Sequence, residues 1–271
     1  MSVIIIGEKI NGTIPKVKKA IEDRNEEWIR TLAIEQVKAG AYYLDVCAST
    51  APEIEAETLL WLMDIVQEAV EVPLCIDSPN PRTIETVFKY AKKPGIINSV
   101  SDEGDKCEVI YPLIQGTDWQ VIALTCDNEG IPKTVQKRIE IASNLVRKAE
   151  RYGITPERIH LDPLVIALAT DNHSVINFVN TIKEIKEIYP TIKITSGLSN
   201  ISFGMPLRKT INQIFLAIAS FSGMDSAIMD PINRELMTTL LATEAIKGND
   251  RNCRNFNNSF RKGIIGPVKE N

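Results

Sequence analysis

Ile194-Thr195-Ser196-Gly197-Leu198-Ser199-Asn200-Ile201-Ser202-Phe203-Gly204-Met205-Pro206-Leu207-Arg208 is the stretch that decides the fold. The short run leading into it, Thr191 to Thr195, is β-branched and has the composition of a buried strand. It breaks into small polar residues, Ser196, Gly197, Ser199, Asn200, Ser202 and Gly204, and a helical pattern resumes after Arg208. Strand, polar elbow and helix in that order make a βα-loop, the unit from which barrel enzymes build their active sites. Ser, Asn and Gly also serve ordinary turns, so the elbow carries weight only if other loops repeat the arrangement.

Outward from this elbow in both directions, apolar runs alternate with amphipathic helical patterns. Strands are expected at 3–6, 42–46, 72–76, 95–98, 120–124, 158–161, 192–195 and 226–229. Helices are expected near 26–39, 54–71, 81–92, 106–115, 134–152, 174–189, 209–222 and 233–247. Eight strands and eight helices in strict alternation predict an α/β fold, a (β/α)8 TIM barrel. An open doubly wound sheet is the alternative, and it usually carries a Gly-rich loop after the first strand. Here that place reads Gly7-Glu8-Lys9-Ile10-Asn11-Gly12, without the G-x-G-x-x-G spacing. One domain over residues 1–271 is expected, with a polar, Asn-rich tail from about 248 that suits an ordered cap or a loosely packed arm.

Composition narrows the function. The 271 residues are 44% hydrophobic, enough for one large buried core, and the net charge of −4 with no basic run argues against nucleic acid. Apolar stretches are strand-sized, which excludes a membrane span. The N-terminus runs directly into a strand without a signal-peptide layout, so a cytoplasmic location is expected. Cys47, Cys75, Cys107, Cys126 and Cys253 are odd in number and form no Cys-x-x-Cys, against a disulfide framework or a zinc site. With only His160 and His173, a multi-histidine metal centre cannot be built, and no bound metal is expected.

The strand ends carry the chemistry. In chain order they offer Glu8 and Asn11, then Asp45, Asp77 with Ser78, Asn98 with Ser99, Thr125 with Asp127 and Asn128, Asp162, the elbow residues Ser196, Ser199, Asn200 and Ser202, and Asp230. Helix capping is the competing use of Asp, Ser and Asn, and Asp230 and Ser78 suit either role. Asp77, Asn98 and Asp162 stand directly at strand ends in apolar surroundings, where an uncompensated charge is costly. Many carboxylates and carboxamides with few cations do not suit a phosphate-rich ligand. A carboxylate accepts two parallel N–H bonds from an amidine-like edge, and a carboxamide offers one donor and one acceptor. Together they match an amino-pyrimidinone, the edge a pterin presents.

Gly7-Glu8-Lys9-Ile10-Asn11, Asp77-Ser78, Ile97-Asn98-Ser99, Leu161-Asp162-Pro163 and Gly197-Leu198-Ser199-Asn200-Ile201-Ser202-Phe203-Gly204 resemble the pterin-binding methyltransferases. These include the methyltetrahydrofolate–corrinoid protein methyltransferases and the folate domain of cobalamin-dependent methionine synthase. The resemblance implies a pterin-binding TIM barrel that moves a methyl group between a corrinoid (cobalamin) protein and tetrahydrofolate, using or giving 5-methyltetrahydrofolate. It implies that Asp77, Asn98 and Asp162 hold the pterin ring and that Asn200 is catalytic, beside the methyl-bearing nitrogen. Glu8, Asn11, Ser199 and Ser202 complete the folate-binding set, and Arg208 reaches the ligand or steadies the loop. Phe203 stands where some relatives have a polar residue.

Asp171-Asn172-His173 begins like the Asp-x-His-x-x-Gly motif of cobalamin-binding domains, but position 176 is Ile and the segment opens a helix of the barrel. The barrel uses the whole chain, so the corrinoid is expected on a separate protein that docks over the barrel mouth. A homodimer is implied by the resemblance, and Phe215, Ile218 and Phe221 of the seventh helix suit either that interface or packing on the barrel. Two other readings fit the same pocket. One is a dihydropteroate synthase-like enzyme, although Cys47-Ala48-Ser49-Thr50-Ala51-Pro52 lacks the Thr-Arg-Pro-type segment of those synthases. The other is a folate-binding protein without catalysis.

Overall fold

The computed structural model describes residues 3–267; the ends of the expected domain, 1–2 and 268–271, lie outside the described residues. Its strands are β1 (Ile4–Asn11), β2 (Tyr43–Cys47), β3 (Leu74–Asp77), β4 (Ile96–Asp102), β5 (Gln120–Asp127), β6 (Ile159–Asp162), β7 (Lys193–Ile194) and β8 (Ser226–Met229). From β1 to β7 each strand pairs in parallel with its sequence neighbours, and β1 also pairs with β8. The ring closes between β7 and β8, where Asp225 N donates to Ile194 O at 2.9 Å and Ile228 N to Ser196 O at 3.0 Å. The expected (β/α)8 barrel is therefore the observed fold.

Helices fill the connections: α1 (Pro15–Glu22), α2 (Glu26–Lys38), α3 (Pro52–Ala69), α4 (Pro81–Val87), α5 (Lys106–Ile114), α6 (Val135–Glu150), α7 (Ser174–Ile188), α8 (Arg208–Phe221), α9 (Arg234–Ile246) and α10 (Arg254–Arg261). Local signals start them. Proline opens α1, α3 and α4, where its missing N–H costs nothing. The side chains of Asn25, Asn80, Thr134 and Asn233 cap α2, α4, α6 and α9.

Alternation along each strand sends successive side chains to opposite faces. Outward residues such as Leu44, Ile76, Ile97, Val121, Leu161 and Ala227 join the helices in one large apolar core. Inward residues Ile6, Cys75, Ile96 and Ile122 form a second cluster with Tyr43, Leu124 and Ile228. Below this plug, at the N-terminal strand ends, lies a hydrogen-bonded polar floor. His160 Nε2 contacts Gln120 Oε1 at 2.9 Å, Nδ1 contacts Ser226 Oγ at 2.7 Å, Gln120 Nε2 donates to the Tyr43 hydroxyl at 2.9 Å, and Lys193 Nζ donates to Gln120 Oε1 at 2.9 Å. A carbonyl oxygen only accepts, so His160 carries its proton on Nε2 and takes one from Ser226.

Several boundaries differ from the sequence-based expectation. β1 runs on to Asn11 through a register shift between Gly7 and Ile10, so Glu8 and Asn11 lie on the strand rather than in a loop. β7 is reduced to Lys193–Ile194 because the chain turns into the elbow, where single bonds such as Thr195 N to Leu161 O (2.8 Å) replace a full ladder. Two helices were not expected. α1 follows Pro15 and buries Val17, Ala20 and Ile21. α10 makes the tail an ordered cap: Asp250 accepts from Asn255 N and Phe256 N at 2.9 Å each, and Arg234 Nη1 donates to Gly263 O at 2.6 Å.

Candidate functional site

Inward positions of the strands meet at the C-terminal mouth of the barrel; Asn98, expected to end its strand, lies inside β4, which runs on past a register shift to Asp102, as β5 does to Asp127. Cys47, Asp77 and Asn98 are at one level on β2, β3 and β4, and Leu124 is level with Asp162 on β5 and β6. Asp77, Asn98 and Asp162 thus face one another across the mouth because period-2 alternation puts them on the inner face. One inward layer deeper, level with Cys75, Asp45 of β2 is buried, and Asn98 Nδ2 donates to its Oδ1 at 3.2 Å.

Burial raises the pKa of both Asp45 and Asp77, and their mutual repulsion adds to the rise at Asp45. Two carboxyls this close in a poorly hydrated site cannot both ionise easily. The deeper Asp45 is the one held protonated, which leaves Asp77 as the hydrogen-bond acceptor that faces the mouth. Asp162 is buried too, and desolvation pushes its pKa up to about 6, against the pull of the Leu164 and Gly197 N–H groups and of the Arg138 charge. Its Oδ1 accepts from Leu164 N at 2.8 Å and its Oδ2 from Gly197 N at 3.4 Å. The mouth therefore offers carboxylate and carboxamide groups at fixed heights, an arrangement suited to N–H donors on a flat heterocycle.

The elbow after β7 adjoins this ring at Asp162. It forms a 3-10 turn, Leu198–Ser202, which holds Asn200 half-buried. Gly197 joins the elbow to the ring in two ways. Its N–H reaches Asp162, and a Cβ at this position would stand 2.9 Å from Asn200 Nδ2, too close for any real contact. Arg208, at the first position of α8, fastens the elbow from outside. Its Nε donates to Ser202 Oγ at 3.0 Å, its Nη2 donates to Ser199 O at 3.2 Å, and its guanidinium lies 4.8 Å from the Phe203 ring centroid. Ser202 is fully buried and also donates to Ser199 O at 3.2 Å, so its hydroxyl is spent within the loop.

Other candidates are spread around the rim. Asn11 Oδ1 accepts from Thr13 N at 2.9 Å and Thr13 Oγ1 at 2.7 Å, bracing the turn into α1. Glu8 is half-buried on the inner face of β1, beside Asp230 and Arg208. Asp230 pairs with Lys9 at 3.0 Å and accepts from Ile232 N at 3.0 Å, which combines a charge role with a turn role. Ser78 is buried and donates to Glu55 at 2.9 Å, a structural use. His173 begins α7, and its backbone N donates to Asp171 Oδ1 at 2.8 Å, the helix start expected of that segment. Sequence reasoning noted Asp45 at its strand end but did not place it beneath Asp77; inward alternation on β2 was the available signal. Nothing in the sequence marked Gly197 as the seat of the Asn200 amide. Among the described residues, no group of three or more His, Cys, Asp or Glu side chains is arranged to hold a metal ion.

Fold and site together define a class: a (β/α)8 barrel whose mouth presents carboxylates and carboxamides beside an Asn-bearing elbow. The chain belongs to the pterin binding enzyme family, whose model matches residues 8–230. It is 58% identical over 98% of its length to the methylcorrinoid:tetrahydrofolate methyltransferase of Eubacterium limosum, 99% of which is covered. It is 29% identical to the methionine synthase of Mycobacterium leprae (strain TN) over 86% of this chain, which spans 21% of that much longer protein. Among solved structures, the dihydropteroate synthase of Coxiella burnetii in complex with pteroic acid superposes with a TM-score of 0.67 at 14% identity, covering 92% of this chain and 94% of the synthase. The Xanthomonas albilineans synthase in complex with 7,8-dihydropteroate gives 0.67 at 16%, covering 91% and 94%. At such identities the synthases speak for the fold alone.

Proposed function

We propose that this chain is an enzyme that transfers a methyl group from a methylated corrinoid protein to tetrahydrofolate, giving 5-methyltetrahydrofolate. The observation that carries the reading is the ring of Asp77, Asn98 and Asp162 at one barrel mouth, in a chain matched end to end by a methylcorrinoid:tetrahydrofolate methyltransferase. In this assignment Asp77 and Asp162 accept N–H bonds from the pterin and Asn98 supplies a donor and an acceptor. In the same assignment Asn200, carried on the elbow that Gly197 ties to Asp162, lies beside the folate N5. Its amide can turn to accept from N5–H before transfer and to oppose charge as it develops, the use to which preorganised dipoles are put. Ser199, Ser202 and Arg208 hold the elbow that carries it, and Asn11 shapes the rim.

The corrinoid is a substrate brought by a partner protein. Exposed Ile54, Ile131, Phe203 and Leu207 all lie on loops or first turns at the mouth end and offer apolar contacts to such a partner. Elsewhere, Ile214, Ile218 and Phe221 are 56%, 40% and 65% exposed along one face of α8, and we assign this stripe to a homodimer interface. Phe215, for which interface or barrel packing were both open, is 2% exposed and packs inward against Phe178, so it takes no part. Five free cysteines suit a reducing compartment such as the cytoplasm. Among the described residues, no helix is long and apolar enough to cross a membrane.

The test is to mix the protein with tetrahydrofolate and a methylated corrinoid protein, and to follow methylated folate together with the demethylated cobalt spectrum. Both should appear in equal amounts. Tight folate binding without either product would leave a folate-binding protein and end this reading.

A further inference from the structure

Glu8 follows Ile6 of the inner cluster by two residues on β1, just where the strand's register shifts before Ile10 and Asn11, and alternation turns it to the inner face towards the mouth. It is half-buried, and its carboxyl makes no hydrogen bond or ion pair among the described residues. The charged groups that face it come from every neighbouring element: Lys9 on its own strand, Asp230 after β8, Arg208 from the elbow side and Asp45 from β2. The two cations are already engaged, Lys9 with Asp230 at 3.0 Å and Arg208 with Ser199 and Ser202 of the elbow. The other mouth carboxylates are tied as well, Asp162 by two backbone N–H groups and Asp77 by its acid partner Asp45. The elbow from Ile194 to Leu207 contains no acid or base. Glu8 is thus the mouth carboxyl that the fold leaves free for proton transfer.

Methylation of tetrahydrofolate requires such a group. The N5 lone pair forms the new N–CH3 bond while the cobalt–carbon bond breaks and leaves its electron pair on cobalt. N5 then bears both the methyl and its original hydrogen, a cation until that proton departs. We propose that Glu8 is the base that takes the N5 proton and passes it to solvent. The inference rests on the methyl-transfer reading above. Burial, and then the charge of Asp230, push the Glu8 pKa up to about 7, with Lys9 and Arg208 pulling the other way. A base with its pKa near the working pH serves best, since it is both partly ionised and strong enough to take the proton.

The experiment is single-turnover transfer from a methylated corrinoid protein to saturating tetrahydrofolate, between about pH 5.5 and 8.5. The wild-type rate should rise with pH through a limb near 7 and level off above it. Glu8→Gln, which keeps the shape and cannot take a proton, should lose the limb and fall about 10²-fold at the plateau. Glu8→Asp should retain a displaced limb. Independently of transfer, infrared difference spectra of the folate complex at the two ends of the pH range should show a protonated-carboxyl band in the wild type that is absent in Glu8→Gln. A Glu8→Gln enzyme that keeps both the limb and the wild-type rate overturns the assignment. Absence of transfer by the wild type overturns the methyltransferase reading instead.

Discussion

Asn200 and Gly197 work as one unit at the residue scale. A group that serves the transition state more than the ground state affects rate more than binding. Asn200→Ala should slow methyl transfer by about 10²-fold or more, the scale of losing a preorganised donor. Folate affinity should fall much less, because the pyrimidine edge stays with Asp77, Asn98 and Asp162. Poor binding with a normal saturated rate would make Asn200 a binding residue only. Gly197 has ordinary backbone angles, φ −71° and ψ 93°, so its requirement is for space and not for flexibility. Gly197→Ala should therefore reproduce the rate defect by displacing the Asn200 amide while leaving thermal stability close to wild type. Asp77→Ala should weaken folate binding by about 1.5–3 kcal/mol, the worth of a hydrogen bond to a charged group. Calorimetric titration with unchanged affinity would remove Asp77 from the site.

At the scale of elements, the elbow between β7 and α8 is held by Arg208 in place of strand pairing. β7 contributes only Lys193 and Ile194 to the sheet, so beyond a few single backbone bonds the far side of the loop rests on the two guanidinium bonds and on the Phe203 face. Lys carries a compact charge on a flexible stem and cannot reproduce a planar, stacked fork. Arg208→Lys should raise proteolytic cleavage near Phe203 and lower the transfer rate, with tetrahydrofolate restoring part of the protection. Equal cleavage in both proteins would count against the clamp. The α8 stripe belongs to the same scale: Ile218→Glu should convert a dimer to a monomer by light scattering at micromolar concentration. A wild-type monomer under those conditions would refute the interface.

At the scale of the whole molecule, the barrel interior is layered, with a polar floor, an apolar plug and an acidic mouth. Burial, and secondarily Lys193, hold the His160 pKa down to about 3. An unfolded histidine titrates near 6.5, so the unfolded chain binds the extra proton between these values. The stability His160 contributes is complete above about pH 6.5 and is lost as pH falls toward 3. Asp162 and Glu8 act oppositely. Their native pKa values lie above the ordinary carboxylate range, so their contribution is greatest in acid and is lost as pH rises through about 6 and about 7. Comparison with His160→Gln isolates the floor. Its deficit in urea unfolding should shrink by about 1.4 kcal/mol per pH unit below 6.5. A deficit that stays constant with pH would mean that His160 is not held neutral.

The sequence by itself determined the eightfold βα repeat, because apolar runs of strand length and helical periodicity are local and need no partner to be read. It also placed Asp77 and Asp162 at strand ends and Asn98 on the next strand, which in fact runs on to Asp102, and barrel topology obliges the C-terminal halves of these strands to share one mouth. α1 escaped because its eight residues give too short a period to stand out, and α10 because its polar sequence is ordered by Asp250 and Arg234 contacts from outside the helix. Only the tertiary structure decided what each mouth residue does. A side chain's protonation and its free hydrogen-bonding capacity depend on neighbours brought together from distant parts of the chain. Asp45 and Asp77 share a site across two strands, Ser202 is consumed by Arg208, and Gly197 makes room for Asn200. Glu8 stands free among charges that are already paired, because burial and pairing are properties of the packed barrel and have no counterpart in the order of its residues.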